Sequence, residues 1–445
     1  MDLTAKRLEG ELIAISGIEP GKKREAYAEL TLNVNGKEFI IDQFISMDIN
    51  CDFVNAYSDK IMLVWNMPLG DFIYDIYPNR DDVTATITRY SIGNKHIERL
   101  NLIFSELDEK IESGLVSKAS QNELNQEMAR LKAEAVDRTI VKMREVSVSG
   151  IAHNASPGDV LASKLMESLH ILPSLYGLLP SGLKMVPGDN SRQYKNIVIP
   201  SDTTALLLAR YLQDHYGIYN GGIGQYRRTF GTDSYYYIYP LFRPNLFGLF
   251  SNKLHIIAYT DATAAGIDAT YALDGDTLKV IVSNAPRNLD DETKLRSLGQ
   301  NIRSTESDTI MRRPFEVAPD GVRVSESNLQ RKMQHKKTKT GEVGPVLNDG
   351  VTSNLYKTRS EVLLNDGVFV QVTWKNSNAR FLKPMMPVVY LEERNGEVKQ
   401  REGLLHHCKI MLDNNSKSEV TVMTLFLKIP RDGNDKAKTM VQQLF

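Results

Sequence analysis

Residues 197–242 read, in order, IVIP at 197–200, SDTTALLLARYLQDHY at 201–216, GIYNGG at 217–222 and SYYYIYPLF at 234–242. This pattern predicts an extended segment, a helix over 205–216 and a returning strand. The apolar positions of the helix recur at helical spacing, at Leu207, Leu208, Tyr211 and Leu212. Ser201 or Asp202 can accept hydrogen bonds from its first N–H groups, and Gly217 suits the left-handed residue that ends a helix. The stretch defines a shape and carries no catalytic motif.

The overall composition is that of a folded protein with several domains. The chain has 445 residues, 42% of them hydrophobic and 24% charged, which suggests about two to four domains of ordinary composition. A net charge of −1 gives no electrostatic reason to expect binding to nucleic acid or to an anionic membrane. The first residues lack the apolar core of a signal peptide, and no apolar run approaches the roughly 20 residues of a membrane helix. We therefore expect a soluble protein, made in a reducing cytosol and without membrane insertion.

Residues 1–106 predict a small, mostly antiparallel β domain. Leu30, Leu32 and Val34 alternate on one face, and Asn35-Gly36 supplies the two positive-φ positions of a tight hairpin turn. Further strand candidates follow, at 60–65, 83–90 and 97–104. In the 83–90 segment, apolar residues alternate with threonines, which is typical of a half-buried strand.

Residues 107–145 are predicted to be a helical connector, because 107–142 are rich in Glu, Lys, Gln and Ala. Ser120 and Glu123 have capping-box spacing. A narrow apolar stripe follows at helical spacing, at Leu124, Met128, Leu131 and Ala135. A surface helix packed on a sheet is the simpler interpretation. An oligomer contact or a projecting arm is the alternative, although the stripe is too short to establish a coiled coil.

Residues 146–283 predict an α+β middle domain. After a strand-like segment at 146–150, Ser156 is placed as the cap of a helix and Pro157 stands in its first turn, where the missing N–H is harmless. The buried face of this helix is formed by Val160, Leu161, Leu165 and Leu169. Two further strands, at 254–260 and 277–283, are expected to extend the sheet of the same domain.

Residues 284–352 predict a loop-rich connector, since apolar periodicity fades there. It contains a basic run at 331–339, formed by Arg331, Lys332, Lys336, Lys337 and Lys339. A solvated loop is the simpler interpretation of this run. A nucleic-acid contact is the alternative, but the run lacks the aromatic side chains on which bases stack.

Residues 353–431 predict a second β domain, followed by a polar tail at 432–445. Its first strand is indicated by alternation on one face, at Val368, Val370, Val372 and Trp374. Asn395-Gly396 supplies another tight hairpin turn, and residues 413–416 are expected to connect a further pair of strands.

The potential metal and redox residues are few. Cys51 and Cys408 are the only cysteines and lie far apart in the sequence, so no disulfide framework is indicated. His406-His407-Cys408 is the richest group of metal-ligand types, but consecutive strand residues point to opposite faces and cannot easily share one ion. His406 and Cys408 could share a face, with no second ligand pair nearby in the sequence. We favour two buried or half-buried thiols and a structural strand.

Other candidates for chemistry are also weak. Gly221-Gly222-Ile223-Gly224 follows a helix instead of joining a strand to a helix, so a flexible turn is favoured over a phosphate loop. Asp290-Asp291 and Glu392-Glu393 are neighbours expected on exposed turns, whereas general acid–base catalysis needs carboxylates that converge across a cleft. The sequence therefore predicts no catalytic, cofactor-binding or metal-binding residue, no cofactor and no enzyme.

Tyrosine is abundant, with 19 residues and a concentrated run within 235–239. A tyrosine buries a large ring while its hydroxyl stays available at a rim, which suits contacts between subunits. An ordinary core strand with tyrosines on both faces is the alternative.

Several of these residues resemble the central baseplate hub protein of contractile-tailed bacteriophages, the tail hub that links tube and spike. The matching residues are Tyr211-Leu212, His215-Tyr216-Gly217-Ile218-Tyr219 and the aromatic strand at 235–239. The resemblance covers about residues 140–245 and consists of shape residues. A second similarity, to the turn that precedes a barrel strand in hub proteins, lies in FLKPMMPV at 381–388, where Met385 stands in place of an expected glycine.

The resemblance implies a homotrimeric structural protein of the virion. It implies a β-rich α+β fold, with antiparallel, β-barrel-like tube domains at 1–106 and 353–431 bracketing the middle region. Three chains with two similar β domains each can present six near-equivalent segments to a sixfold tail tube and threefold symmetry to a spike.

The expected partners are further copies of the chain, the tail tube protein, other baseplate proteins and a separate spike protein. The spike should be a separate chain because no glycine-rich triple β-helix repeat follows residue 431. Viral DNA would pass through the channel at genome ejection without specific binding. We expect assembly in the host cytoplasm and a final location in the virion, at the baseplate of the contractile tail.

Two other functions stay open. One is a tail-associated hydrolase acting on cell-wall polymer, with the middle region as its catalytic domain. The other is a different structural part of the tail, such as a wedge or tube protein. Turnover separates the hydrolase from the hub, and the oligomeric state separates the hub from the other structural parts.

Overall fold

The computed structural model describes residues 25–91, 94–107, 128–178, 180–219, 222–230, 233–241, 253–258, 271–274, 277–282, 287–288, 317–318, 321–322, 367–394 and 397–428. Several residues singled out in the sequence lie outside these ranges. They are the basic run at 331–339, Asp290-Asp291, Ser120, Glu123, Leu124, Gly221, Asn395-Gly396 and the polar tail at 432–445. Within the described ranges the chain is rich in strands and has few helices.

The strands are numbered here in chain order. The first group comprises β1 (Ala26–Val34), β2 (Lys37–Ile41), β3 (Gln43–Asp52), β4 (Lys60–Pro68), β5 (Thr84–Ser91), β6 (Asn94–Leu107) and β7 (Met128–Asp137). The middle group comprises β8 (Gly150–Ala155), β9 (Ser181–Met185), β10 (Tyr194–Ile199), β11 (Ile223–Phe230) and β12 (Asp233–Pro240). The last group comprises β13 (Lys253–Ala258), β14 (Tyr271–Asp274), β15 (Thr277–Val282), β16 (Arg287–Asn288), β17 (Val317–Ala318), β18 (Gly321–Val322), β19 (Gly367–Lys375), β20 (Pro387–Arg394), β21 (Glu397–Asp413) and β22 (Ser418–Lys428).

The longer helices lie between β7 and β11. They are α1 (Arg138–Met143), α2 (Pro157–Tyr176) and α3 (Leu208–His215). Shorter helical turns occur at Leu69–Asp71, Phe72–Ile76, Tyr77–Asp82 and Ala379–Phe381.

The start of α2 confirms its predicted cap. The Asp159 N–H donates to Ser156 Oγ at 3.2 Å, and Pro157 occupies the first helical position. Gly177 then ends the helix with a φ of +63°. Leu161, Leu165 and Leu169 face the core as predicted. Local capping chemistry therefore sets both ends of this helix.

The helix predicted over 205–216 begins later than expected. It starts at Leu208, its N-cap is Leu207, and no side chain caps it. The predicted caps Ser201 and Asp202 are therefore wrong, because a turn intervenes in which Thr204 O accepts from the N–H groups of Leu207 and Leu208. The predicted end is confirmed, since Gly217 has a φ of +75°.

Fifteen of the described strands form one large sheet. Its main order is β14-β15-β13-β20-β21-β3-β4-β7-β6-β5-β1-β2, while β22 pairs with β21 and β19, and β16 pairs with β19. The strands β1 to β7 pair only in antiparallel fashion among themselves, whereas β13 is parallel to both β15 and β20. The predicted β-rich α+β class is confirmed. The described strands form no closed barrel, and the two β-rich ends of the chain meet in a single sheet.

The local strand patterns at the N-terminal end are confirmed. Leu30 and Leu32 are fully buried, and so are Val83, Ala85 and Ile87 on one face of the β5 segment. Asn35 and Gly36 have φ values of +50° and +84°, and Val34 pairs with Lys37 across the turn. The period-two pattern and the Asn-Gly turn thus fixed this part of the sheet locally.

The helix expected over 107–142 is wrong at 128–137, whereas its end is helical in α1 (Arg138–Met143). Residues 128–137 form β7, which pairs with β4 on one side and with β6 on the other. Leu131, Ala133 and Ala135 alternate on the buried face. Because β7 lies between two partner strands, tertiary pairing overrides the helical propensity of its residues.

The strands expected at 254–260 and 277–283 also differ in their partners. They exist as β13 and β15, but they pair in parallel with each other and join the large sheet through β20. The prediction that these two strands extend the sheet of the middle domain is therefore wrong. Parallel partners distant in sequence leave no turn signal from which the pairing could be predicted.

The middle module consists of two small sheets and helices α2 and α3. Strand β12 pairs in parallel with β9 and in antiparallel fashion with β11, and β8 pairs with β10 in a separate ribbon. Helix α2 packs against β9 through its buried leucines. This arrangement places β11 and β12 beside the loop that joins β3 to β4.

Strand β21 connects the parts of the large sheet. Its first half pairs with β20, and its second half lies between β22 and β3. Gly403 stands where β20 and β22 both approach, paired with Val388 and Leu427. A Cβ at this position would overlap the backbone carbonyl oxygen of Phe426. Glycine is required here by the close approach of two backbones.

We expect Gly403→Ala to lower the free energy of unfolding by roughly 2 to 3 kcal/mol, because backbone must move to admit the methyl group. The measurement is the shift in the urea unfolding midpoint. Gly158→Ala is the matched control, since the added Cβ would contact Met185 Cε at an ordinary 3.6 Å within a helix. The control should be neutral or raise stability by up to ~1 kcal/mol. Equal effects of the two variants would contradict the close-approach argument.

Candidate functional site

The tyrosine run forms an internal contact surface. Tyr236, Tyr237 and Tyr239 on β12 are buried within the chain, together with Tyr226 on β11. The interpretation of these β12 tyrosines as subunit contacts is therefore wrong, and the core-strand alternative applies to them. Tyr235 is partly buried, and the Lys184 ammonium lies 3.7 Å from the centre of its ring.

The tyrosine hydroxyls attach the middle module to the large sheet. Tyr239 Oη donates to Phe53 O at 2.6 Å, and Tyr226 Oη donates to Asp59 Oδ1 at 2.6 Å. Phe53 and Tyr226 also form an edge-to-face ring pair at 4.9 Å. Burial raises the pKa of both tyrosines, so their hydroxyls act as donors at every physiological pH. The β3–β4 loop is thus held by paired polar groups inside an apolar contact.

Gly224 makes this contact possible. A Cβ on Gly224 would overlap the ring of Tyr239. Gly224 belongs to the glycine-rich segment at 221–224, which was predicted to be a flexible turn. Because Gly224 has no side chain, the ring of Tyr239 can pack on β11. Ile223 and Gly224 are the first two residues of β11, a strand that was not predicted from the sequence. Only the position of Tyr239 reveals the role of Gly224.

Two successive arginines on β11 contact three different parts of the chain. The Arg227 N–H donates to Tyr57 O at 2.8 Å, and its guanidinium pairs with Asp137 at the end of β7 and donates to Ser181 Oγ at 3.1 Å. Arg228 Nη2 donates to Ala379 O at 3.2 Å, in the C-terminal part of the chain. Both arginines are almost completely buried. They connect the middle module to both ends of the chain.

The buried charge of Arg228 has a local counter-charge. Burial opposes its protonated form, but the carboxylate of Asp59 outweighs it and raises the pKa of Arg228 well above its ordinary value. The guanidinium is therefore a fixed positive charge inside the protein. A buried charge with a partner positions neighbouring groups, and removing the partner is strongly destabilising.

A second buried ion pair joins the two chain ends directly. Arg89 Nη2 on β5 donates to Glu419 Oε2 on β22 at 2.7 Å, and the side chains are 8% and 5% exposed. Glu419 Oε1 also accepts from Ser377 Oγ at 3.0 Å and from the Ala379 N–H at 2.8 Å. This carboxylate has several donors, as a buried anion requires.

The turn after β21 reinforces the same junction. Asn414 Oδ1 accepts from the Ala28 N–H at 2.8 Å, while its Nδ2 donates to Ala28 O at 2.7 Å and to Phe44 O at 3.0 Å. The predicted turn at 413–416 is confirmed, with Asp413 pairing with Ser418. Its side chains also hold the N-terminal strands β1 and β3, a contact that hairpin chemistry alone does not indicate.

The His406-His407-Cys408 segment lies in β21. His406 packs edge-to-face on Phe369 at 4.8 Å, His407 contacts Asn50 Oδ1, and Cys408 lies opposite Cys51. The three side chains thus have three different surroundings. Across the part of the chain that the structure describes, no group of three or more His, Cys, Asp or Glu side chains is arranged to hold a metal ion.

Burial lowers the pKa of both histidines in this segment. Burial lowers the pKa of His406 to about 4, with Asp52 opposing the shift and His407 adding to it. Burial also lowers the pKa of His407, again against the effect of Asp52. Asp52 itself caps the following turn, accepting from the N–H groups of Val54 and Asn55. Both rings are neutral at pH 7.

A pocket of about 320 Å³ lies between the β3–β4 loop, α3 and β11. Its polar side chains already bind backbone, since Gln213 Nε2 donates to Tyr219 O at 2.8 Å and Gln225 Nε2 donates to Leu206 O at 2.9 Å. Asp214 is the carboxylate among its described lining residues, 3.9 Å from Arg210. The lining lacks the converging carboxylate pair that hydrolysis of a glycosidic bond requires.

The other carboxylate candidates do not form a site. Glu392 and Glu393 lie within β20, opposite Lys399 and Val398, so the expectation that they occupy an exposed turn is wrong.

The exposed apolar residues lie mainly on the middle module. Ile151 and Val198 face each other across the β8–β10 ribbon and are 59% and 47% exposed. Met166 and Leu175 on α2 and Leu207 beside α3 are also exposed. None of the helices in the described ranges is long and apolar enough to cross a membrane.

Comparisons with known proteins give similarity in fold alone. No protein-family model and no curated protein matches the sequence. A tail protein from Neisseria meningitidis MC58 aligns with 11% identity and a TM-score of 0.45, over 90% of this chain and 96% of its own. The 43 kDa tail protein of prophage MuSo2 from Shewanella oneidensis aligns with 14% identity and a TM-score of 0.46, over the same shares.

A third solved structure comes from a secretion system. It is an E. coli component of the type VI secretion system, described as structurally similar to T4 bacteriophage tail proteins. It aligns with 9% identity and a TM-score of 0.45, over 91% of this chain and 79% of its own. Two of these three solved structures are thus phage tail proteins, and the third is a type VI secretion component. At these identities and scores they assign no role to any residue.

We expect Glu419→Gln to lower the free energy of unfolding by about 3 to 5 kcal/mol, because Arg89 keeps its buried charge and loses its counter-ion. The measurement is the denaturant unfolding midpoint. Lys409→Met is the control, since Lys409 and Asp48 form an exposed ion pair between β21 and β3 at 3.1 Å. The control should change stability by less than ~1 kcal/mol. A Glu419→Gln effect as small as the control would contradict the proposed importance of the buried pair.

We also expect stability to fall as the pH is lowered from 6.5 to 4 because of His406. The unfolded chain binds a proton near pH 6.5 and the folded chain only near pH 4, so folding is opposed within that window, by up to about 3 kcal/mol at its lower end. The measurement is the unfolding midpoint at pH 7 and at pH 5.

The matched variants for this experiment are His406→Leu and His153→Gln. The first should flatten the pH dependence, whereas the second changes an exposed histidine that hydrogen-bonds Asn196 and should leave it unchanged. Equal slopes for His406→Leu and the unaltered protein would show that other groups determine the acid sensitivity.

Proposed function

We propose that the protein is a structural component of a phage tail baseplate, and that within it the chain acts as the hub between tail tube and spike. The observation that carries the proposal is the sheet shared by both chain ends, with the hub-like segment of 140–245 docked against it through buried tyrosines and arginines. Tyr226, Tyr239 and both arginines of β11 bond there to other parts of the chain. Such buried polar contacts between the parts of a chain are expected in a structural protein that bears mechanical load.

The symmetry argument supports the hub in particular. A homotrimer whose subunits each contribute two β-rich regions can present six wall segments to a sixfold tube and three equivalent positions to a spike. We propose that 1–106 and 353–431 are these two tube-type domains, and that they line the channel. We propose that the rest of the chain comprises a connector at 107–145 that contains strand β7 and helix α1, a middle domain that ends before β13, a loop-rich connector at 284–352 and a tail at 432–445.

The proposed partners follow from this position. They are two further copies of the chain, the tail tube protein, a separate spike protein and other baseplate proteins. DNA would pass through the channel during ejection without specific contacts, as a net charge of −1 suits. The protein would be assembled in the host cytoplasm and remain in the contractile tail of the virion. We propose no enzymatic role.

The test is the oligomeric state and shape of the purified protein. Native mass measurement should give three times the mass of one chain, and negative-stain images should show a ring with an open channel. A monomer, a hexamer or a closed globule would contradict the hub. Release of soluble fragments from purified cell-wall polymer would favour the hydrolase instead.

A further inference from the structure

The two cysteines of the chain lie opposite each other in the sheet. Cys51 on β3 pairs with Cys408 on β21 in the antiparallel register, and the flanking pairs are Asp52 with His407 and Asn50 with Lys409. Both side chains are fully buried, and both thiols are free in this structure. The sequence contains no other cysteine.

The backbone places the two thiols within bonding range. Directly opposed residues of an antiparallel pair have Cα atoms about 4.5 to 5.5 Å apart. Disulfides span Cα separations of about 4.4 to 6.8 Å. Both thiols are buried in this strand pairing. Closure of a disulfide therefore needs a rotation of side chains, without a change of register.

The surroundings control how the bond can form. Burial and the Cys408 contact raise the pKa of the Cys51 thiol well above its ordinary value, and Asp59 adds to the shift while Arg228 opposes it. The thiolate is the attacking species, so closure in the folded protein is slow. It becomes fast when β3 and β21 separate transiently or pair during folding. The same burial excludes a second chain, which favours an intramolecular bond.

We propose that Cys51 and Cys408 form an intramolecular disulfide that covalently joins the adjacent strands β3 and β21 when the protein meets a low-molecular-weight disulfide oxidant. One cysteine thiolate attacks the oxidant and releases one small thiol. The second cysteine then displaces the other small thiol from the mixed disulfide. In total two cysteine thiols are oxidised, and one small disulfide is reduced to two thiols.

The position of the disulfide in the sheet makes it stabilising. It would lie in the β3–β21 pairing and close a loop of roughly 360 residues, which is a strong restriction on the unfolded chain. The bonded form should unfold at a temperature several degrees higher than the reduced form. This inference stands independently of the proposed function, because it uses only the register and burial of two residues.

The test uses the full chain, unfolded in denaturant and refolded in a buffer of oxidised and reduced glutathione. Intact mass should show the loss of two hydrogen atoms, and no thiol should react with an alkylating reagent after denaturation. Non-reducing electrophoresis should show a faster monomer band that dithiothreitol reverses. The folded product should have the higher unfolding temperature.

A register control makes the test specific. Cys51→Ala with Ile49→Cys moves the thiol two residues along the same face, opposite Ile410 and about 7 Å from its former position. This variant should keep two reactive thiols under the same conditions. Recovery of the unaltered protein with two free thiols, with glutathione adducts or as a disulfide-linked dimer would overturn the proposal, as would equal closure in the register control.

Discussion

The pairing of β3 with β21 holds both ends of the chain in one sheet, and the other contacts of the structure depend on it. The register places Ile49 against Ile410 and brings β22 close enough to β5 for Arg89 to reach Glu419. Because the ion pair is buried, loss of either partner would leave the other charge uncompensated inside the protein. Asn414 adds hydrogen bonds to β1 and β3 from the following turn. The two ends of the chain therefore behave as one energetic unit.

The middle module is attached to this unit by tyrosines and arginines. From the sequence, the tyrosines were interpreted as possible contacts between subunits. The β12 tyrosines are used inside the chain, and the consecutive arginines of β11 reach Asp137 and Ala379 in different parts of the chain. What the module leaves exposed is aliphatic, with Ile151 and Val198 on its ribbon. The buried tyrosines cannot contact another subunit, whereas the exposed aliphatic residues can. Only the burial of each side chain in the structure distinguishes the two cases.

The parts of the fold that the sequence predicts correctly are those determined by residues close together in the chain. The Asn35-Gly36 turn and the Ser156 cap each depend on residues a few positions apart. The β7 segment was misassigned because Leu131 and Ala135 fit a helical stripe as well as an alternating strand, and β4 and β6 decide between them. The pairing of Cys408 with Cys51 leaves no local trace. Met385 is an informative departure, since its φ of +50° is the conformation for which glycine was expected.

The long separation between β3 and β21 affects the synthesis of the protein. Residues 43–52 leave the ribosome about 350 residues before 397–413, an interval on the order of 20–70 s at roughly 5–20 residues per second. During that time one edge of β3 lacks the neighbour that later covers it, and an unpaired edge can recruit strands from other nascent chains. The growing polypeptide is therefore a natural client for chaperones, and a truncated product that lacks β21 would be prone to aggregate.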